Sequence, residues 1–388
     1  MSSPIVHATL GASSAYRWMA CPGSVALSKD IPRKETEYSK EGTAAHALAE
    51  LAYAAQRDPN DYLGDTIEGV RVSEDMVQAV TVYVNFLDGL KGDGYEPLIE
   101  HRFDLSKLSP PAPMFGTSDC VAYGRGERTL VVGDYKHGAG VPVEVADNPQ
   151  LKYYALGALL SMDSSQPVDE VKMVIVQPRA GHKDGPVREW SCSVEDLLDF
   201  SSELLEAAHH ATQPGAELVP GKHCRFCPAQ PMCPALHSEA TELAQSEFAS
   251  AGQMMDPRLL TPEQLGKVLE RADIIEDWIR SVRQHVQSQL EGGHAIPGWK
   301  VVPKRATRQW VSEAKVVEWA KTNTLAAEEL YEMKLKTPAA LEKVVGKKNL
   351  PADLVSSVSS GYTLAPASDP RPAITNVAAD EFSAIPAE

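Results

Sequence analysis

The chain has 388 residues, a formal net charge of −16 and a hydrophobic fraction of 43%, the balance of a globular chain long enough for one large domain or two ordinary ones. The excess of carboxylates argues against a protein that coats nucleic acid non-specifically, because phosphate contacts need Lys and Arg, but it leaves room for a local basic channel. No apolar run of about 18 residues occurs, so no transmembrane helix and no membrane partner are expected; the N-terminus lacks a basic segment followed by an apolar stretch, so no signal peptide is expected and the cytoplasm is the expected compartment.

The first predicted helix covers residues 41–56, rich in Ala and Leu. A second covers 73–90, with Ser73 as its N-cap. Strand-like pieces follow at 97–105, 115–123 and 129–136, the last two flanking a hairpin turn at 124–127. Asn148-Pro149 starts a helix, with Pro149 at the first helical position, that runs to about Ser161. Segments 171–177 and 187–192 read as strands and 193–210 as a helix. This order is an α/β pattern with a crossover helix.

Residues 214–236 hold a cluster of cysteines. Residues 261–290 form a long amphipathic helix, with Leu265, Val268, Ala272, Ile275, Ile279, Val282 and Val286 at helical spacing. Residues 296–312 read as a basic strand or hairpin. There Lys300, Lys304, Arg305 and Arg308 lie among Trp299 and Trp310, a mixture that suits either single-stranded nucleic acid or a solvated face. Short helices are expected to about residue 358, and a loose Ala/Pro/Ser-rich tail from 365. The expected domains are therefore 1–240, a mainly helical region 241–364 and a flexible tail 365–388. There is no internal repeat and no P-loop, so any helicase or recombination function belongs to a separate partner.

Two constellations carry chemistry. Asp134 and Lys136 lie at the end of an apolar strand and share one face. With an even hairpin loop Tyr123 pairs with Arg128 and Asp119 with Val132, which brings Asp119 onto the same face. Two carboxylates and a lysine suit phosphodiester hydrolysis: hard oxygen ligands hold Mg²⁺ or Mn²⁺, and the lysine orients water and offsets transition-state charge. Gln150 and Tyr154, four apart on the crossover helix, share a face next to that strand end. His46 and, less directly, Glu100 are further candidates. A surface Asp/Lys pair, a core Tyr154 and a packed His46 are the ordinary alternatives.

The second constellation is Cys224-x-x-Cys227-x5-Cys233, a metal-binding spacing in a chain of this compartment. Cys21, in a Cys-Pro turn like Cys227 and Cys233, is the best fourth ligand; Cys120 and Cys192 read as buried small residues. Four cysteines suit an iron–sulfur cluster or Zn²⁺, and His223 or His237 keeps a three-cysteine, one-histidine zinc site open.

In their order, His46, Gly116 with Asp119, Asp134 with Lys136, and Gln150 with Tyr154 resemble the RecB-like branch of the PD-(D/E)XK nucleases. One early cysteine and three late ones resemble its AddB-type members with an iron–sulfur cluster. The segments SSAYRWMACPGS, EGTAAHALAE, IPGWKVV and SDPRPA also resemble a phage and prophage family catalogued as a domain of unknown function. The resemblance implies a restriction-endonuclease-like core, a mixed central sheet flanked by helices, with an added helical C-terminal region. It implies a Mg²⁺-dependent DNA exonuclease or end-processing nuclease acting in the host bacterial cytoplasm. His46, Asp119 and Asp134 would be the metal ligands, Lys136, Gln150 and Tyr154 the remaining active-site residues, and Cys21, Cys224, Cys227 and Cys233 would hold a [4Fe–4S] cluster. A catalytically inactive nuclease fold that binds DNA or a partner, and a zinc-stapled structural protein, are the alternatives.

Overall fold

The computed structural model describes residues 8–32, 35–163, 165–248, 261–302 and Glu318. The chain begins with two short helices, α1 (Ala15–Ala20) and α2 (Ser24–Ser28), then a long one, α3 (Glu37–Ala55). Helix α3 starts four residues earlier than the apolar pattern predicts. Thr36 and Ser39 form a capping box, each side chain accepting from the other's backbone N–H, which satisfies two end donors of the helix. A minimal hairpin, β1 (Thr66–Ile67) with β2 (Val70–Arg71), leads into α4 (Glu74–Gly92). Ser73 caps α4 by accepting from Met76 N.

The sheet follows: β3 (Leu98–Asp104), β4 (Phe115–Gly124) and β5 (Thr129–Tyr135), then α5 (Pro149–Ser161), β6 (Glu170–Val176), β7 (Val187–Ser193) and α6 (Val194–Thr212). Its five strands lie in the order β3-β4-β5-β6-β7. All neighbours are antiparallel except β5 and β6, which are parallel. A parallel pair needs a crossover, and α5 supplies it. The chain is thus a mixed α/β fold with a five-strand mixed sheet flanked by helices.

Alternation along the strands divides the core into two layers. On one face Val121, Leu130, Val132, Val171, Met173 and Ile175 pack with α1, α5 and α6. On the other, Cys120, Ala122, Val131, Tyr135, Val174 and Val176 pack with α3 and α4. All seven residues of β5 are buried, as a central strand covered on both faces requires. Helix α5 lies close on the sheet because Gly157 has no side chain: a Cβ there would come within 1.9 Å of the Phe103 ring.

The last described elements are α7 (Pro234–Phe248) and α8 (Pro262–Glu291). Ile274 and Trp278 of α8 pack on Cys224, Cys233 and Leu236. Contacts therefore join the described residues into a unit that runs to Val302. The expected boundary at residue 240 falls inside this unit. Among residues 296–302 there is a turn and no strand; the rest of the expected basic strand, the short helices and the tail lie outside the described residues.

Candidate active site and cysteine centre

Strands β4 and β5 stop pairing at Cys120 and Gly133. Their register puts Val121 opposite Val132 and Tyr123 opposite Leu130. Continued, it brings Asp119 opposite Asp134, not opposite Val132 as the sequence suggests. The hairpin loop is even, as expected, but the pairing is displaced by two residues, which leaves each side chain on its expected face. Beyond the last pair, side chains take over the ladder. Tyr135 N–H donates to Asp119 Oδ2 at 2.7 Å, and the Tyr83 hydroxyl of α4 donates to the Asp119 carbonyl at 2.9 Å.

Into this opening project residues from five elements. Asp134 is buried, and its Oδ1 accepts from Gln150 Nε2 at 3.1 Å. Lys136 Nζ lies 2.8 Å from Asp134 Oδ2 and donates to Gln150 Oε1 at 3.0 Å. Asp134 Oδ2 is buried, and the Lys136 ammonium is its ion-pair partner. Gln150 Nε2 also donates to the Tyr154 hydroxyl at 2.9 Å. A lysine on one side and a carboxylate on the other fix which end of the Gln150 amide is oxygen and which is nitrogen. Gly116 makes room for Tyr154, whose ring would lie 3.3 Å from a Cβ at that position.

His46 arrives from α3, in the opposite layer. Its Nδ1 is 3.5 Å from Asp119 Oδ1 and 3.9 Å from Glu100 Oε1, and its ring meets Tyr135 edge-on. Glu100 sits on β3 with φ +49°, a conformation that costs a residue with a side chain about 1–3 kcal/mol. Among the described residues, His46, Glu100 and Asp119 are the one trio of potential ligand groups whose atoms all lie within 4.8 Å of one another.

The cluster perturbs its own titration. Burial pushes the Asp119 carboxyl up to about 7, with Asp134 adding to the rise and the charges of His46 and Lys136 opposing it. Burial works against a charged His46, but Asp119, Glu100 and Asp134 outweigh it and raise the imidazole to about 9. Burial likewise opposes the Lys136 ammonium, and Asp134 outweighs it, so Lys136 stays charged.

Sequence reasoning passed over a flanking network. The Tyr135 hydroxyl lies 2.8 Å from His137 Nδ1, and His137 Nε2 lies 2.6 Å from Arg179 Nη1, which also donates to Glu41 at 2.9 Å. Burial and Arg179 lower the His137 pKa, so the ring is neutral there, accepts at Nε2 and carries its proton at Nδ1. Nothing in the spacing of residues 41, 137 and 179 signals this. It arises because β6, which leads to Arg179, runs parallel to β5, which leads to His137.

All four predicted cysteines meet at a second place. Cys21 follows α1, and Cys224, Cys227 and Cys233 lie on short turns after α6; together with Leu27, Leu218 and Leu236 they line one cavity. Val219 N–H points to Cys21 Sγ at 3.3 Å and Gly221 N–H to Cys224 Sγ at 3.4 Å. Backbone donors to sulfur are what thiolates need when they hold a metal centre. His223 accompanies them but binds the Val219 carbonyl through Nε2. Cys120 packs in the α3–α4 layer and Cys192 lies half-buried on β7, both away from this cavity.

The fold and these two centres define a mixed α/β protein with a buried carboxylate–lysine cluster and a four-cysteine centre. The chain belongs to the family described as "Protein of unknown function (DUF2800)", which matches residues 7–372. A solved structure titled "Crystal structure of SSO0001" is similar at 12% identity and a TM-score of 0.29, over 58% of this chain and 85% of that one; a likeness that low carries no argument. No helix among the described residues is long and apolar enough to cross a membrane.

Proposed function

We propose that this chain is a divalent-metal-dependent DNA nuclease with a RecB-like PD-(D/E)XK core. The observation that carries the reading is the convergence of Asp119, Asp134 and Lys136 where β4 and β5 part, with Gln150 hydrogen-bonded to both Asp134 and Lys136. The donor set fits Mg²⁺ or Mn²⁺: the His46, Glu100 and Asp119 trio, joined by the buried Asp134 carboxylate that the Lys136 ammonium touches, offers three carboxylates and one imidazole. Asp119 and Asp134 would hold the ion, with His46 and Glu100 completing the set.

When bound, such an ion supplies charge neutralisation for a phosphodiester and acidification of a water. The protein's own residues do the rest. Lys136, held by Gln150 Oε1 and Asp134, would supply an ammonium that orients a water and offsets the negative charge that grows on the phosphorus-bound oxygens. Tyr154 fixes the Gln150 amide from behind. Arg179, a quarter exposed, adds a guanidinium on the same strand ends.

Four cysteines lining one cavity would hold a [4Fe–4S] cluster, the assignment the one-early, three-late layout favours, or a single zinc. The test of the whole reading is digestion of linear and circular DNA by anaerobically purified protein with Mg²⁺ or Mn²⁺. Metal-dependent loss of DNA supports it. A wild-type chain inert on both substrates leaves the non-catalytic nuclease fold as the better reading.

A further inference from the structure

The carboxylates of this acidic chain are unevenly spread. Residues 8–29 and 218–238 contain none, although the chain's average would put about six in two stretches of that combined length. The same stretches hold Arg17, Lys29, Lys222 and Arg225. The fold joins them: Gly23 N–H donates to the Glu217 carbonyl at 2.7 Å, Val219 N–H reaches Cys21, and the Tyr16 ring meets His223 edge-on at 6.3 Å. A Cβ at Gly23 would collide with the Ala216 carbonyl at 2.5 Å, so the two backbones lie against each other.

This surface also exposes aromatic rings. Phe226 is 72% exposed and Tyr16 53% exposed, while Lys222 and Arg225 face solvent beside them. The Arg225 guanidinium lies 6.0 Å from the Phe226 ring centre. Phe226 is not loose: it sits between Cys224 and Cys227, on a turn whose backbone is hydrogen-bonded from Gly221 to Gln230. Helix α8 covers another part of the cysteine segment through Ile274 and Trp278, and the nearby Asp277 is paired with Arg280.

We propose that this surface binds single-stranded nucleic acid, with Phe226 and Tyr16 stacking on unpaired bases and Lys222 and Arg225 on the neighbouring phosphates. Exposed rings next to cations, on chain segments that themselves carry no carboxylate, are the combination that holds a single strand without reading its sequence. A duplex keeps its base faces stacked and offers these rings nothing. The inference shares the nucleic-acid class of ligand with the proposed function but needs none of its metal chemistry.

The test is fluorescence anisotropy of the full chain with a labelled oligothymidine and no added divalent cation, so that cleavage plays no part. The wild type should bind, and more tightly than it binds a duplex of equal length. F226A should raise Kd about fivefold or more, and F226Y should restore it. R225A should reduce the slope of log Kd against log salt by about 0.7, one phosphate contact. An F226A chain that binds like the wild type at several salt concentrations overturns the inference. So does a wild type with no affinity at low salt, which would make the surface a protein-docking site, or an F226A loss that is equal for duplex and single strand. A chain that binds oligothymidine through Phe226 and cuts no DNA keeps this inference and loses the nuclease reading. A chain that cuts DNA while F226A binds normally does the reverse.

Discussion

Asp134 lies on the buried strand β5 and Lys136 one residue past its end, and their proposed roles separate under mutation. On the proposed reading Asp134 would give the ion an oxygen, so Asp134→Asn should abolish cleavage and weaken Mn²⁺ binding in calorimetry. Removing Lys136 takes away a cation that competes for Asp134, so Lys136→Ala should keep Mn²⁺ affinity while the cleavage rate falls about a hundredfold or more. Glu100 offers a different separation. Its positive φ suits glycine, so Glu100→Gly should match or exceed wild-type stability in urea while losing Mn²⁺ affinity; Glu100→Ala should lose affinity without that compensation. Titration adds a third check. His46, raised to about 9, and Asp119, raised to about 7, both hold protons near neutrality that a metal must displace. Mn²⁺ binding at pH 7 should therefore release protons and tighten from pH 6 to 9. Calorimetry in buffers of different ionisation heat reads this directly, and proton-neutral binding would mean that His46 is no ligand.

Elements differ in how plainly the sequence announces them. Helix α5 was legible to the residue, because Asn148 accepts from two end N–H groups and Pro149 fits only the first turn. That legibility fixes Gln150 and Tyr154 on one face. The β4–β5 hairpin was legible in parity but not in register: a shift by two leaves every side chain on its face, so an alternating pattern cannot distinguish Val132 from Asp134 as the partner of Asp119. Helices α1 and α2 were not legible. They have six and five residues, too few to be stable alone, and depend on packing around Cys21. Gly157 shows how tightly α5 must sit. Gly157→Ala would drive a methyl into the Phe103 ring and should cost about 1–3 kcal/mol in denaturant unfolding. It should also lower cleavage by lifting Gln150 from Lys136, whereas Gly42→Ala, inside α3 with open space around it, should raise stability by about 0.5–1 kcal/mol and leave cleavage unchanged.

At the scale of the molecule, the cysteine centre ties the start of the chain to the end of the sheet domain. Cys21 and Cys233 enclose α2–α6 and all seven strands in a loop of about two hundred residues. The four-cysteine set was legible from spacing and the repeated Cys-Pro. Its support by α8 was not, because Ile274 and Trp278 belong to a helix whose apolar stripe says nothing about its partner. Cys21→Ser should lower the unfolding midpoint and the bound iron together while Asp134 still binds Mn²⁺. Zinc without iron in anaerobically purified protein would replace the cluster with a single-ion staple. The central claim concerns the other centre, and one comparison tests it most directly: the initial rate of Mn²⁺-dependent degradation of linear DNA by the wild type and by Asp134→Asn, each with its cysteine-bound metal intact. The expected result is degradation by the wild type, stopped by chelation, and none by the variant; equal rates for the two proteins would contradict it.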